Sequence, residues 1–254
     1  MRKFIKFLVR KIPRPYLIKF SYAFSWIVAM FYKGNNHTCP ICEGNYRTLL
    51  PYGNKGDVNR LCPNCLSLER HRLIWLYLQK KTNFFTDNLK VLHIAPEQTF
   101  YKRFKALKNI DYYTADLESP LAEYHFDIHE IPFDENTFDV IMCNHVLEHV
   151  KDEFQVVREF KRVLKKGGWA ILQVPINSTF DTTYEDWSIT DPKEREKHFG
   201  QYDHVRWHGK DYGDRLRKSG LKVEELDFVN EFTAEEIERY RLSKNEILYV
   251  VHKE

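Results

Sequence analysis

The sequence predicts an α/β fold with a mostly parallel sheet, fronted by a small cysteine module and a basic amphipathic helix. Three observations predict it. From Leu89 onward, short runs rich in Val, Ile and Tyr alternate with longer runs whose apolar residues recur at helical spacing. Two Cys-x-x-Cys pairs, Cys39-Pro-Ile-Cys42 and Cys62-Pro-Asn-Cys65, lie ahead of that alternation. A charge-free aromatic stretch separates Lys19 from Lys33 within a segment that holds no acid. These divide the chain into an arm (1–37), a cysteine module (38–70) and an α/β body (71–254).

The arm carries most of the charge asymmetry. Residues 1–42 contain Arg2, Lys3, Lys6, Arg10, Lys11, Arg14, Lys19 and Lys33 without one Asp or Glu, so the rest of this +3 chain is net acidic. Net charge therefore does not indicate a polyanion-binding catalytic surface. Leu17, Phe20, Phe24, Ile27, Val28 and Phe31 recur at helical spacing, and Tyr16, Ala23 and Met30 widen that face. The run is shorter than the ~20 residues that span a bilayer, and no small-residue site for leader cleavage precedes the cysteines. Two readings stand: a helix lying in an anionic membrane surface, anchored by Trp26, or a helix packed on the body or a partner subunit.

The four paired cysteines form C-x2-C-x19-C-x2-C, which predicts a closed, tetrahedral structural zinc site at Cys39, Cys42, Cys62 and Cys65. Four thiolates leave no open position, so this zinc is expected to have no catalytic role. Such cysteine usage suits a reducing compartment, hence a cytoplasmic protein, peripheral to the inner membrane surface if the arm binds lipid. Arg60, Arg70, His71 and Arg72 lie nearby, as in ribbons that meet nucleic acid, yet the loop Glu43–Leu61 is only modestly basic. The favoured reading is a clip joining arm to body, with Leu73–Leu78 as a helix packed on the sheet.

In the body, strands are expected at Leu89–Ala95, Ile110–Ala115, Phe138–Cys143, Gly168–Val174, Lys222–Phe228 and Glu246–His252. Helices are expected at Gln98–Leu107, Lys151–Leu164 and Asp211–Ser219. The stretch 124–177 runs from an acidic turn (Asp127) through Ile131-Pro132-Phe133 and the strand Phe138-Asp139-Val140-Ile141. It continues through a polar strand end and a helix to Gly167-Gly168 before the next strand. That order closely resembles the second half of a class I S-adenosylmethionine-dependent methyltransferase of the type 11-like group, here with an N-terminal four-cysteine ribbon. The resemblance covers roughly 89–252 and implies a Rossmann-like sheet whose last strand is antiparallel.

What the resemblance implies about the cofactor falls on particular residues. The turn His93-Ile94-Ala95-Pro96-Glu97 would carry S-adenosylmethionine, although the family's glycines are missing from it. Asp116, followed by Leu117, would accept from the ribose hydroxyls. Asp127 would accept from the adenine amino group with Ile128 beside the ring, and Asn144 and His145 would line the methionine end. The competing reading of Asp116 and Asp127 is that of turn or helix-capping acids. His145-Val-Leu-Glu148-His149 also matches H-x-x-E-H, a metal-binding pattern, but its place at a strand end in this frame opposes a metal there.

Two insertions, 178–210 and 229–244, are expected as lids. The first holds His198, Tyr202, Asp203, His204 and Arg206. His204 or His198 is the candidate base for an oxygen nucleophile and Arg206 the candidate partner of an anionic or hydroxylated acceptor, while the bland alternative is that these residues knit the lid. The expected activity is methylation of a small-molecule, sugar or glycan-precursor acceptor. The alternatives are an RNA acceptor bound through the ribbon, disfavoured by the lack of an Asn-Pro-Pro-Tyr-like motif, and a methyltransferase-like binding protein without catalysis.

Overall fold

A computed structural model describes residues 14–53 and 57–254; the first part of the basic arm and Lys55 lie outside them. The chain forms two compact units: Met1–Thr86 with Glu97–Leu107 and Asp227–Glu246, and Asp87–Pro96 with Lys108–Leu226 and Ile247–Glu254. In chain order the elements begin with α1 (Arg14–Phe31), β1 (Lys33–Thr38), β2 (Asn45–Tyr46), β3 (Leu50–Tyr52), β4 (Asp57–Leu61) and α2 (Glu69–Lys81). Next come β5 (Leu89–Ile94), α3 (Gln98–Lys105), β6 (Ile110–Ala115), β7 (Phe138–Asn144), α4 (Glu153–Val163) and β8 (Leu164–Gln173). The remainder is β9 (Tyr184–Glu185), α5 (Pro192–Phe199), β10 (Arg206–Trp207), α6 (Tyr212–Arg217), β11 (Lys222–Leu226), a 3-10 turn (Phe228–Glu231), α7 (Ala234–Tyr240) and β12 (Leu248–His252).

The second unit is built on a six-stranded sheet in the order β11-β12-β8-β7-β5-β6. β5, β6, β7 and β8 run parallel, and β12 is antiparallel to both β8 and β11. Its centre is apolar without alternation: Val140, Ile141, Met142 and Cys143 of β7 are all buried, as expected of a parallel strand covered on both faces. Val91 pairs with Val140 and Ile94 with Cys143, so the carboxyl ends of β5 and β7 finish side by side. Ala115 of β6 lies opposite Ile94, which brings the end of β6 to the same edge. α4 buries Val156, Val157, Phe160 and Val163 on one stripe, and Asp152 caps it by accepting from the Gln155 N–H (2.9 Å).

A buried ionic group ties the insertion 178–210 to this sheet. Glu153, at the first turn of α4, accepts from His208 Nε2 (2.6 Å) and from Arg215 Nε, and lies 3.7 Å from Arg206 Nε. Arg206, 1% exposed, donates through Nη1 to the carbonyls of Leu147 (2.6 Å) and Val150 (2.7 Å) and through Nη2 to Lys151 O (3.1 Å). Glu185 of β9 completes the group by accepting from Arg206 Nε (3.2 Å) and Arg215 Nη2 (3.0 Å). β9 and β10 themselves pair antiparallel, Arg206 opposite Glu185.

The first unit draws on three chain segments. α2 buries every residue from His71 to Leu78; Trp75 stacks on Phe104 (6.0 Å) and Phe100 (6.4 Å), and Tyr77 meets Phe228 edge-on (5.5 Å). The helix expected at Leu73–Leu78 is thus longer, and these ring partners come from its own unit. The stretch 229–244, expected as a second lid, belongs with the cysteine module. The buried Arg72 guanidinium donates to Tyr240 O (2.7 Å) and Arg241 O (2.8 Å) near the end of α7, and to Ser67 O (2.9 Å) beside the cysteines. Satisfying those carbonyls at a helix end explains why the segment docks there.

α1 extends over the predicted run but packs by a different face. Its small residues Ser25 and Ala29 are buried, and Ser21 Oγ accepts from Gln98 Nε2 (2.6 Å). Phe20, Phe24 and Phe31 are 66%, 66% and 72% exposed, and Trp26, Ile27 and Met30 are also outward. No helix among the described residues is long and apolar enough to cross a membrane.

The Glu153 group has a measurable pH signature. Burial pushes its carboxyl up, but the His208 hydrogen bond and the charges of Arg206 and Arg215 overrule this and bring it to about 2. A depressed carboxyl stabilises the fold above its unfolded value near 4.3 and loses that contribution as pH falls toward 2. The contribution is roughly 3 kcal/mol. Glu153→Gln should cost about 3–5 kcal/mol at pH 7, because two guanidiniums stay buried without their carboxylate. Urea unfolding of both proteins from pH 7 to 2 should show the gap closing below pH 4.5; a gap independent of pH would contradict this account.

Candidate active site

The four cysteines converge through two turns of the same build. Glu43 N donates to Cys39 O and Cys39 N to Gly44 O; Leu66 N donates to Cys62 O and Cys62 N to Ser67 O. The residue after each second cysteine is left-handed, Glu43 at φ 58° and Leu66 at φ 59°. The Sγ atoms of Cys39 and Cys65 are 3.5 Å apart and those of Cys42 and Cys62 are 3.7 Å apart. A disulfide needs about 2.05 Å, whereas sulfurs bound tetrahedrally to zinc at ~2.3 Å lie about 3.8 Å apart. The donor set fits zinc. Burial pushes the Cys39 and Cys62 thiols up, while hydrogen bonds from Cys39 bring Cys42 down strongly and Cys65 to about 7. Ser67 Oγ lies 3.3 Å from Cys39 Sγ and 3.2 Å from Cys65 Sγ, an outer-shell hydroxyl. Of the neighbouring basic residues, Arg60 donates through Nε to Glu69 (2.7 Å), and Arg72 and His71 are buried.

The residues of the second unit expected to hold the cofactor lie at or beyond the carboxyl ends of β5, β6 and β7. Ala95 takes the bend after β5 at φ 49° while its N–H donates to Ala115 O (2.8 Å). The missing glycine thus does not mean a missing bend, and alanine bears the left-handed strain at a cost of about 1–2 kcal/mol. Pro96 is buried behind it. Glu97 belongs to the first unit, where it opens α3 with Oε1 3.8 Å from His71 Nε2. His93 faces inward, fully buried with Nδ1 2.7 Å from Tyr112 Oη, so its side chain serves the sheet.

Asp116 follows β6 and combines both readings of an acid there. Its Oδ1 accepts from Glu118 N (2.8 Å) and Ser119 N (2.7 Å), which holds the turn, and its Oδ2 has no hydrogen-bond partner among the described residues. Leu117 beside it is 67% exposed, an apolar surface at the site's edge. Asp127 Oδ1 accepts from His129 N (2.9 Å) and His129 Nδ1 (2.6 Å). Asp152 N donates to His129 Nε2 (3.1 Å), so the imidazole proton sits on Nδ1. The His129 backbone N–H, aided by that ring N–H, holds the Asp127 carboxyl below its usual range. Ile128 is buried. Bend, carboxylates and exposed leucine are chemically suited to a nucleoside with a ribose diol, with Asp116 Oδ2 left to accept from it.

Beyond β7 the chain turns sharply, with His145 at φ 56° and its N–H donated to Gln173 O (2.7 Å). His145-Val-Leu-Glu148-His149 forms turns, not a helix. Glu148 is 1% exposed; its Oε1 lies 3.3 Å from His145 Nδ1, and its Oε2 has no hydrogen-bond partner among the described residues. Burial pushes this carboxyl up, and His145 overrules it and holds it down. The insertion brings His204 here: Val205 N donates to Glu148 O (3.0 Å), and the His204 and His149 rings meet edge-on at 4.7 Å. Burial pushes His204 below its usual value. His198 lies elsewhere on the insertion, exposed, with Nδ1 3.1 Å from Tyr184 Oη. Arg206, read from sequence as an acceptor ligand, spends its guanidinium on Glu185 and the carbonyls of 147, 150 and 151. The structure makes it the residue that shapes the site's loop. Sequence reasoning noted Glu148 and His149 in the H-x-x-E-H match but set a metal there aside, and nothing local shows that His204 meets them.

A zinc-bound ribbon predicts a concrete loss. Cys39→Ala should release the tightly held ion and remove amide-exchange protection across 38–67, because structural zinc binding and local folding share one free energy. Retained protection in the metal-free variant would show that the turns fold without it.

Comparison with known proteins finds a methyltransferase match. The family described as "Methyltransferase domain" matches residues 85–172. A ubiquinone/menaquinone biosynthesis C-methyltransferase (UbiE) of Idiomarina loihiensis is 38% identical over 66 residues, covering 25% of this chain and 26% of that protein. A 27-O-demethylrifamycin SV methyltransferase of Amycolatopsis mediterranei is 26% identical over 121 residues, 48% of this chain and 43% of that protein. The chain therefore spans between a quarter and a half of the length of these curated relatives. An S-adenosylmethionine-dependent methyltransferase of Mesorhizobium loti superposes with a TM-score of 0.48 at 16% identity, over 70% of this chain and 96% of that one. Residues 85–172 thus match the methyltransferase domain family, and the sheet around them has the parallel core and antiparallel last strand that the resemblance implied.

Proposed function

We propose that the protein transfers the methyl group of S-adenosylmethionine to a hydroxylated small-molecule, sugar or glycan-precursor acceptor. The observation that carries this reading is the sheet edge where the Ala95 bend, the uncommitted Asp116 Oδ2 and the polar end of β7 stand together. Asp116 would accept from the ribose diol, Leu117 and Ile128 would flank the base, Asp127 would accept from its amino group, and Asn144 and His145 would line the amino-acid end. When bound, the cofactor supplies an electrophilic methyl carbon on a sulfonium. The protein's task is to orient a nucleophile in line with that carbon and to handle its proton.

We assign the acceptor side to His145, Glu148, His149 and His204. Phe199 O can only accept, so His204 Nδ1 donates to it (3.0 Å), and the imidazole keeps its Nε2 lone pair for an acceptor hydroxyl. The named relatives act in quinone biosynthesis and on a demethylrifamycin, which supports a small acceptor. The internal engagement of Arg60 and Arg72 argues against a ribbon that reads RNA.

We further propose that α1 lies in an anionic lipid surface. Its outward Phe20, Phe24, Trp26, Ile27, Met30 and Phe31 form an apolar face on a segment with eight cations and no acid. An acceptor made or held at that surface would then be close at hand.

Two measurements test these readings. Calorimetric titration should show S-adenosylmethionine binding, and Asp116→Ala should weaken it at least about tenfold, the worth of one charge-assisted hydrogen bond. No binding by the intact chain, or equal binding by the variant, would remove the enzymatic reading. In flotation assays the full chain should rise with vesicles containing phosphatidylglycerol, less so at high salt, and a Phe20→Asp/Phe24→Asp chain should stay behind. Equal flotation of both would remove the lipid reading.

A further inference from the structure

We infer that Glu148, His149 and His204 form a second metal site, one that holds a divalent first-row transition ion, zinc foremost, with a coordination position left for an oxygen ligand. These three side chains can bring one ligand atom each to within 4.8 Å of one another. Two imidazoles and a carboxylate are the donor set of an open zinc centre, in contrast to the closed set of four thiolates.

The outer shell argues for the ion more strongly than proximity does. A histidine that ligates through Nε2 normally donates its Nδ1–H to a carbonyl or carboxylate, which fixes tautomer and ring orientation. His204 Nδ1 donates to Phe199 O (3.0 Å). His149 Nδ1 lies 3.3 Å from Asp203 O and 3.5 Å from Asp203 Oδ2, both acceptors. In the neutral form, rings so held would carry their lone pairs on Nε2. Glu148 repeats the arrangement: Oε1 is engaged by His145 (3.3 Å) and Oε2, in a side chain 1% exposed, has no hydrogen-bond partner among the described residues. A buried carboxylate oxygen without a partner is costly, and a cation satisfies it. Arg206 stands outside the ligand set but fixes it, because its bonds to the carbonyls of 147 and 150 bracket Glu148 and His149. His149 is partly exposed, so one side of the cluster opens to solvent and can admit a ligand.

The ion binding stands by itself, while its use rests on the methyl-transfer reading. With an ion in place His204 is a ligand and no longer a base. An acceptor hydroxyl at the open position would be polarised by the ion; its proton would pass to water as the oxygen bonds the methyl carbon and the sulfur–methyl bond breaks, the sulfonium leaving as the neutral thioether.

Cobalt(II) titration of the full chain tests the site. The intact protein should bind two ions, one with thiolate-to-cobalt charge-transfer absorption and one with only weaker ligand-field bands. Acetohydroxamate, an oxygen chelator, should shift the ligand-field bands of the second ion and leave the thiolate ion untouched. Glu148→Gln, which keeps the side chain's shape, and His149→Ala, at a partly exposed position, should each weaken the second ion roughly 100-fold or more while the thiolate band persists. One ion per chain, or a second ion that binds both variants as it binds the intact chain, would overturn the inference. Because the cobalt titration uses no S-adenosylmethionine, loss of cofactor binding would sink the methyl-transfer reading and leave the metal site standing.

Discussion

One buried guanidinium organises the loops beyond β7. Arg206 comes from the far end of a long insertion, yet its donors are consumed by three carbonyls just beyond β7 and by Glu185, with Glu153 close by. Five N–H groups in a rigid plane suit this task, since a turn whose carbonyls all point one way needs a fork of donors to close it. Such a group is expensive to bury, and the expense is met by Glu153, which also holds His208 and Arg215. The consequence reaches beyond stability. With the insertion locked at Arg206, the backbone two residues earlier must deliver His204 to Glu148 and His149.

Much of the fold was legible because period and polarity change together along the chain. Strands β5, β6 and β7 and helix α4 fall where continuous apolar runs and a helical stripe predict them, within a residue or two at their ends. The antiparallel β12 is what the resemblance to class I methyltransferases implied, and the sheet bears it out. The cysteine spacing spoke plainly, since four thiols in two pairs have few ways to be satisfied. What pattern could not supply was long-range docking. Nothing local in 229–244 says that Arg72 will take its carbonyls, and nothing in α1 says that Ser21, Ser25 and Ala29 will pack while the phenylalanines face out.

The candidate site was legible in half. Asp116 and Asp127 could be named because an acid at a strand end is a local feature, but the sequence posed turn-capping and ligand-binding as rivals. In the structure Asp116 divides the work, with one oxygen for the turn and one left over. The absence of glycine after β5 misled for a similar reason. Glycine is favoured in a left-handed bend without being required, and Ala95 adopts it while its amide stays in the ladder. Arg206 and His204 look alike in the sequence as polar lid residues. Only burial and partners separate a guanidinium with four of its five N–H groups engaged from an imidazole that keeps a lone pair.

The two clusters of soft and borderline donors make a chemical contrast within one chain. Around Cys39, Cys42, Cys62 and Cys65 each turn's backbone bonds close on themselves, and two left-handed residues hold the thiols in place, so a bound ion would meet four protein ligands and nothing else. Around Glu148 the same economy of outer-shell bonds produces the opposite result. Phe199 O, Asp203 and His145 orient three donors and supply no fourth. A closed centre can only hold structure together, whereas an open one at the carboxyl edge of a sheet has a position to fill. That edge also carries Asp116 Oδ2, so on the proposed reading one crest of the sheet would gather both a place for a nucleoside and a place for the atom it would modify.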